Sequence, residues 1–231
     1  MAHLRLMTAN LLNDRADPVQ VGEVLGRVRP DVLVTQELGP NGAEVIAGFF
    51  SHVHLQPDLV KTGRGIASQR PAEFGDLDLP GRPGSWARLE LGDGELAVAG
   101  MHMVNPIDFP WWSSASLRTR QLDSLEGWAT AMSGEMSVVA GDMNATPIWP
   151  VYRRLTSTWR DLVLESSLAS GRRPAPTWGW RPGWPKVLRV DHVMGRGVVG
   201  LAAWVEEIRG SDHSAVVVDL IPAASQSARQ V

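Results

Sequence analysis

Residues 138–147, VVAGDMNATP, end a run of small apolar residues with an acid and an amide two positions apart. Val138, Val139 and Ala140 read as a buried strand, and Gly141 lets the backbone turn at its end. Side chains two apart on an extended chain share a face, so Asp142 and Asn144 are expected side by side. A simple turn would use the same residue types, because Asp and Asn bond their own backbone where strands stop. The pattern recurs along the chain. Asn10 follows LRLMTA, Glu37 follows DVLVTQ, and His102 follows LAVAGM with Asn105 three further on. Asp191 lies in LRVDHV, and Asp212–His213 precede SAVVVDL. Singly, each has a structural reading: a turn amide, a surface acid, a hydrogen-bonded histidine, an acid paired with Arg189. Strand ends converging on one edge would instead gather all of them in one cleft.

The chemistry of that set is narrow. There is no cysteine, which excludes disulfides, thiolate metal sites and a cysteine nucleophile, and no serine motif of the GxSxG type. Glu37 and Asp212 offer hard oxygen ligands and Asn10 a neutral one. Such a sparse oxygen set suits Mg²⁺ or Mn²⁺, which keep several waters and bind substrate phosphate directly. Histidines and asparagines remain to hydrogen-bond a phosphate whose charge grows in the transition state. An acid and an imidazole remain to activate water. The set is suited to hydrolysing a phosphoester.

The elements that must position these groups are legible in outline. Leu4 to Leu11 suggests a first strand. DPVQVGEVLGRVRP predicts a helix capped by Asp17, with Pro18 at its first position and Val21, Val24, Leu25 and Val28 on one stripe. DVLVTQE predicts a second strand buried on both faces near its start, and GRGIASQRP a third. SWARLELGDGELAVAGMHMV predicts a hairpin turning at Gly92–Gly94. SASLRTRQLDSLEGWATAM is the strongest helix, with Leu117, Leu122, Leu125, Trp128 and Met132 favouring one side. MSVVAGDM is a strand, a helical region runs from about Tyr152 to Leu164, and VLRVDHVM, VVGLAAWVEEI and SAVVVDLI close the chain as strands. Two β-sheets packed face to face with helices outside would accommodate this order.

Composition sets the outer bounds. With 44% hydrophobic and 20% charged residues the chain is an ordinary globular protein. Its net charge of −3 supplies no global field that would draw it to nucleic acid. MAHLRLMTANLL has charges and no long apolar run, so it does not read as a signal peptide, and no segment approaches the ~20 apolar residues of a membrane span. A cytoplasmic monomer is the default expectation. With no internal repeat and no long linker, residues 1–222 are expected to form one domain and 223–231 a frayed tail.

In their order, QE, a strand-end histidine, GDMNATP and GSDH resemble the motifs of the endonuclease/exonuclease/phosphatase superfamily, which includes pancreatic-type deoxyribonucleases, AP endonucleases, neutral sphingomyelinases and inositol polyphosphate phosphatases. The match runs from Asn10 to His213, with GDMNATP and GSDH its most specific parts. The resemblance implies a four-layer α/β sandwich of two mainly antiparallel β-sheets flanked by helices. It implies metal binding by Asn10 and Glu37, with Asp212 an acid near the metal. Asp142 matches the aspartate that positions or deprotonates the attacking water, and Asn144 the amide that supports it and contacts phosphate. His102 and Asn105 match a phosphate-contacting pair, His213 a phosphate ligand or general acid/base, and Asp191 the acid that orients His213 and raises its basicity. Arg118 and Gln121 are expected to tie helix to sheet.

Departures from the family pattern bear on substrate. Leu11 and Leu12 follow Asn10 where the AP-endonuclease branch has a second acid, and His102 stands where that branch has tyrosine. Gln69 occupies a place where the family has arginine. The chain is also short for the large loops that grip duplex DNA or inositol headgroups. Two tryptophan-rich segments, NPIDFPWWSSAS and PTWGWRPGWPK, adjoin motif strands, so Trp111, Trp112, Trp180 and Trp184 are candidates for the cleft rim, stacking on bases or dipping into a lipid interface. Capping of the sandwich is the bland alternative. The reading is a Mg²⁺- or Mn²⁺-dependent phosphoester hydrolase whose substrate is a phosphodiester, with nucleic acid or a nucleotide ahead of lipid. A small-molecule or lipid phosphodiesterase and a phosphomonoesterase are alternatives, and a noncatalytic binding module is the rival of a different class.

Overall fold

The computed structural model describes residues 3–223 except Asp93, Phe109, Ser133 and Glu135, with Trp111 described by its backbone alone. The tail expected to fray therefore lies, from residue 224 onward, outside the described residues. Among the described residues, twelve strands form two six-stranded sheets. The first sheet has the order β11 (Val198–Glu207), β12 (Ser214–Pro222), β1 (Leu4–Asn10), β2 (Val32–Gln36), β4 (Arg64–Ser68), β3 (His52–Gln56). The second has the order β5 (Ala72–Leu77), β6 (Gly84–Leu91), β7 (Gly94–His102), β8 (Met136–Asp142), β10 (Asp191–Arg196), β9 (Arg160–Asp161). All neighbours are antiparallel except β1/β2 and β7/β8.

Alternation along the strands builds four layers. Leu4, Leu6, Val32 and Val34 face Val98, Val138 and Ala140 of the other sheet in a shared core. Met7, Ala9 and Leu33 point the opposite way onto helices α1 (Pro18–Val28) and α2 (Pro40–Phe49). Ala97, Ala99 and Val139 meet α3 (Trp111–Ala131) and α4 (Pro150–Thr158) on the far side. A fifth helix, α5 (Leu162–Ala169), adds Leu162 and Val163 to the core between the sheets. The predicted stripe of α1 is buried as expected, and the Asp17 side chain accepts from the Val19 and Gln20 N–H groups at its start.

The two parallel pairs fix where the polar strand ends meet. β1 and β2 finish together, with Asn10 beside Gln36, and β7 and β8 finish together, with His102 beside Asp142. β10 starts at Asp191 opposite Asp142. β12 runs antiparallel to β1 and so begins at the same edge, while Leu4 and Leu220 pair near the other. Gly141 makes this convergence tight. Its φ is +142°, and a Cβ there would lie 1.9 Å from the Met101 carbonyl oxygen, so no larger residue fits between the strand ends.

Several elements depart from the sequence expectation. The helical region around 152–164 is two helices, broken at Arg160–Asp161, where β9 pairs with β10. The Asp161 side chain caps α5 by accepting from the Leu164 N–H, and its Oδ2 also accepts from Tyr152 Oη and Arg189 Nη2, each at 2.7 Å. Helix α2 begins with Pro40, a start signal the sequence reading did not use, but its N-cap Gly39 supplies no side-chain cap. Its cap comes from Asp14, whose Oδ1 accepts from the Asn41 and Gly42 N–H groups. A Cβ on Gly39 would overlap that Asp14 side chain. Strands β3 and β5 pair with one neighbour each and are mostly half-exposed, so they lack a buried apolar run.

Asp161 is almost fully buried; burial alone would raise its carboxyl, and the facing His192 and Arg189 outweigh this and hold it below the usual range. Its charge therefore stabilises the fold above the ordinary carboxylate value, and the contribution is lost as pH falls through the depressed folded value. Asp161→Asn leaves the buried Arg189 guanidinium unpaired and is expected to cost about 3–5 kcal/mol. Urea midpoints measured from neutral to acidic pH check both parts. The variant should be weaker at neutral pH and its stability flatter on acidification.

Candidate functional site

Asp142 is 2% exposed and stands at the centre of the converging strand ends. A carboxylate that deep requires donors. Its Oδ2 accepts from Asn10 Nδ2 at 3.3 Å and Asn144 Nδ2 at 3.2 Å, and its Oδ1 from the Asn144 N–H at 2.8 Å. Asn144 does not share a pleat face with Asp142. β8 ends at Asp142, and Asn144 has φ +45°, so a tight turn folds the amide back onto the acid. Asn144 Nδ2 also donates to the Met103 carbonyl, which ties the end of β8 to the residue after His102.

Two histidines flank this acid. His213 Nδ1 lies 2.9 Å from Asp191 Oδ2, and its Nε2 lies 3.8 Å from Asp142 Oδ2. Burial would lower the His213 pKa, but the charges of Asp191 and Asp142 and the hydrogen bond to Asp191 raise it to about 9. Burial likewise pushes Asp142 up, and the His213 charge leads the effects that hold it below the usual carboxylate range. Acid, imidazolium and acid thus form a line with its charges fixed. His102 Nε2 lies 3.3 Å from Asp142 Oδ2 and 3.8 Å from Glu37 Oε1.

Sequence reasoning missed Arg82. It is buried in the loop before β6, where its Nη1 meets His102 Nε2 and also donates to the Met103 carbonyl, while Nη2 donates to Asp108 Oδ2 at 2.5 Å. Arg82, Asp142 and Glu37 therefore all face Nε2, and the ring's other nitrogen is Nδ1. That Nδ1 is buried without a partner. The one signal in the sequence is an arginine inside LPGRPGSW, a turn-rich segment with little else to bury. Arg118 and Gln121 do tie helix to sheet. Arg118 donates to the Val104 and Asn144 carbonyls, and the Gln121 side-chain oxygen accepts from the Val104 N–H.

The oxygen-ligand candidates surround the same point. Glu37 has φ +50°, a backbone region sparsely used by side-chain-bearing residues and one that clusters at functional sites. Its Oε1 faces Asn10 Nδ2 at 3.4 Å, while its Oε2 is buried without a partner. Asp212 Oδ2 accepts from Trp178 Nε1, and its Oδ1 is likewise buried without a partner. Asn10 turns its amide nitrogen to the acids because its oxygen accepts from the Leu12 N–H. The ligand atoms of Asp142, Asp191 and His213 lie within 4.8 Å of one another, a spacing that could hold a metal ion. Glu37 Oε2 and Asp212 Oδ1 are further candidates, since a buried carboxylate oxygen needs a donor or an ion.

The remaining predicted residues stand further out. Asn105 uses its Oδ1 in a local turn, accepting from the Ile107 N–H, and among the described residues it bonds no other member of the set. Trp112, Trp180 and Trp184 are exposed, and the Trp111 side chain lies outside the described residues. Thr177 and Trp178 serve the frame. The Thr177 hydroxyl accepts from the Val190 and Asp191 N–H groups, and Trp178 bridges to His213 and Leu188.

The sequence profile of the Endonuclease/Exonuclease/phosphatase family matches residues 7–213, from β1 to the site histidine. The chain belongs to this family. Solved structures agree on the fold. An endonuclease/exonuclease/phosphatase from Beutenbergia cavernae superposes with a TM-score of 0.75 at 20% identity, covering 96% of this chain and 72% of that one. D. rerio TDP2 complexed with a single-strand DNA product gives 0.71 at 17% identity over 95% and 99% of the two chains. The human Nocturnin catalytic domain with a bound sulfate anion gives 0.72 at 16% identity over 96% and 94%. No curated protein matches the chain in sequence. Among the described residues no helix is long and apolar enough to cross a membrane.

The family frame leaves the charge on His213 to be measured. Its ring should titrate near pH 9 in the metal-free protein by histidine side-chain NMR. Asp191→Asn removes the nearest negative charge and should bring the titration down toward the ordinary imidazole value. The stability tied to this pair is full below the ordinary imidazole value and is lost as pH rises through about 9.

Proposed function

We propose that this protein is a divalent-metal-dependent hydrolase of phosphodiesters. The observation that supports this most is the meeting of Asn10, His102, Asn144 and His213 on one buried carboxylate, Asp142, beside two carboxylate oxygens without partners.

In this reading Asp142 accepts a hydrogen bond from the attacking water, orients it toward phosphorus and takes its proton as the new O–P bond forms. His213, held as the cation by Asp191, gives its proton to the leaving oxygen as the old O–P bond breaks. His102 donates to the non-bridging oxygens, where charge grows, and Arg82, on the same Nε2 that faces Asp142, positions the ring. Asn144 joins it only after releasing the Met103 carbonyl or Asp142. Asn105 reaches phosphate only after giving up its local turn. Mg²⁺ or Mn²⁺ held by Glu37 and Asp212 would supply neutralisation of phosphate charge, with Asn10 a neutral ligand only once its oxygen is turned from the Leu12 N–H.

Nucleic acid has a precedent in the DNA product bound by D. rerio TDP2. Of the cations at this chain's site edge, Lys61 and Arg82 are both paired with Asp108 and Arg209 with Asp17, which leaves Arg172 and Arg173, before β10, exposed to meet it. A polyanion track needs such charges free.

The test is hydrolysis of bis-p-nitrophenyl phosphate and p-nitrophenyl phosphate with Mg²⁺, Mn²⁺ or EDTA. Asp142→Asn and His213→Ala are each expected to lower kcat by about 10²–10⁴, and EDTA to abolish turnover. Cleavage of the monoester alone would make the protein a phosphatase. Turnover that survives both EDTA and Asp142→Asn would overturn the proposal. Arg82→Met should cost at least about tenfold in kcat/KM through loss of a charge-assisted hydrogen bond, with Arg82→Lys restoring part of it.

A further inference from the structure

We infer that the rim of this cleft seats on a lipid surface, so that the phosphodiester entering the site is the headgroup of an amphiphile. The inference rests on the phosphodiesterase reading for its substrate and on the surface for its occupant.

Topology places one set of loops around the cleft. The segments after β1, β2, β7 and β8, and those before β4, β6, β10 and β12, all leave the edge where Asn10, His102 and Asp142 end their strands. Most of the large apolar side chains exposed on the described surface lie in these segments. Ile107 is 79% exposed, Ile148 76%, Trp180 68% and Leu59 66%, with Trp112 and Trp184 beside them in sequence. Val19, in the first turn of α1, also follows β1, while Val53, Leu168 and Leu201 scatter over β3, α5 and β11. Exposed apolar groups are common singly, but their concentration around one opening marks an interaction surface.

The tips are held at a fixed height above the site. The strap carrying Trp180 and Trp184 is bonded to the loop of Asp212 and His213. The Gly179 N–H donates to the Asp212 carbonyl, Trp178 Nε1 to the Asp212 carboxylate, and the Ser214 N–H to the Thr177 carbonyl. The loop carrying Ile107 is held by Arg82 on Asp108 and by Ser114 on the Asn105 carbonyl. Ile148 follows directly from the turn made by Asp142 and Asn144.

Whatever covers this rim must also bring a phosphoester to its centre. A folded protein seated on the tips would close the cleft. A nucleic acid would set phosphates against Leu59, Ile107 and Ile148, side chains that offer them neither charge nor a donor. A lipid surface meets both demands, because its phosphates lie just above an apolar layer into which tryptophan and isoleucine partition. Arg172 and Arg173, exposed at the start of the strap, would then face the headgroups.

Co-sedimentation of the full chain with phosphatidylcholine vesicles, plain and doped with phosphatidylglycerol, tests this. The protein should bind, bromine-labelled lipid should quench its tryptophan fluorescence, and Trp180→Ser with Trp184→Ser should lower the partition coefficient at least about tenfold. Ile148→Ser should weaken binding less, and Leu201→Ser, on β11, should not change it. No binding to either vesicle overturns the inference, as does binding indifferent to the rim variants. So does retention of a single-stranded oligonucleotide, lost with the tryptophans, by a protein that ignores vesicles. Cleavage of bis-p-nitrophenyl phosphate reads the site independently. Turnover without vesicle binding sinks the lipid surface alone, and vesicle binding without turnover sinks the hydrolase alone.

Discussion

A carboxylate sealed from water must be surrounded by donors and positive charge or give up its own charge. Asp142 imposes this requirement on every element near it. Asn10 reaches it from the other sheet, Asn144 from the turn beyond its own strand, and His213 from a loop near the far end of the sequence. The same demand explains the shell behind these groups. Asp191 keeps His213 charged, Thr177 holds the Asp191 backbone, and Arg118 holds the carbonyls of Val104 and Asn144. The two sheets are joined at this edge by polar bonds, whereas further in they are joined by valine and leucine.

Most of this was legible because strands buried on both faces advertise themselves. Leu4–Asn10, Val32–Gln36 and Met136–Asp142 are apolar runs ending in polar residues, and Asn10, Asp142 and Glu37, one residue past the second run, reach the cleft. The stripe of α1 was legible for the same reason, since Val21, Val24, Leu25 and Val28 repeat on one face. What escaped reading is held by partners far away in the chain. Helix α2 starts on a cap lent by Asp14, and the break between α4 and α5 is set by Asp161 facing Arg189 and Tyr152. Neither relation leaves a local pattern.

The site divides in the same way. Asp142 and Asn144 are neighbours as expected, but through a left-handed turn and not through the pleat, because the strand stops one residue too soon for alternation to apply. Arg82 was invisible because an arginine among prolines and glycines is normally a solvated loop residue. Only the fold shows that its partners are His102 and Asp108. Asn105, by contrast, has the right spacing from His102 but spends its carbonyl on the turn that follows it.

The first and last strands lie side by side in the middle of one sheet, with Leu4 paired to Leu220. Their outer ends therefore share the rim of the sandwich remote from Asp142. A polypeptide grafted just before Leu4 or just after Pro222 would leave from that remote rim, and a molecule tethered to a bead or scaffold by such a graft would present its Asp142 edge outward. The fold thus separates the place where it is held from the place where it works.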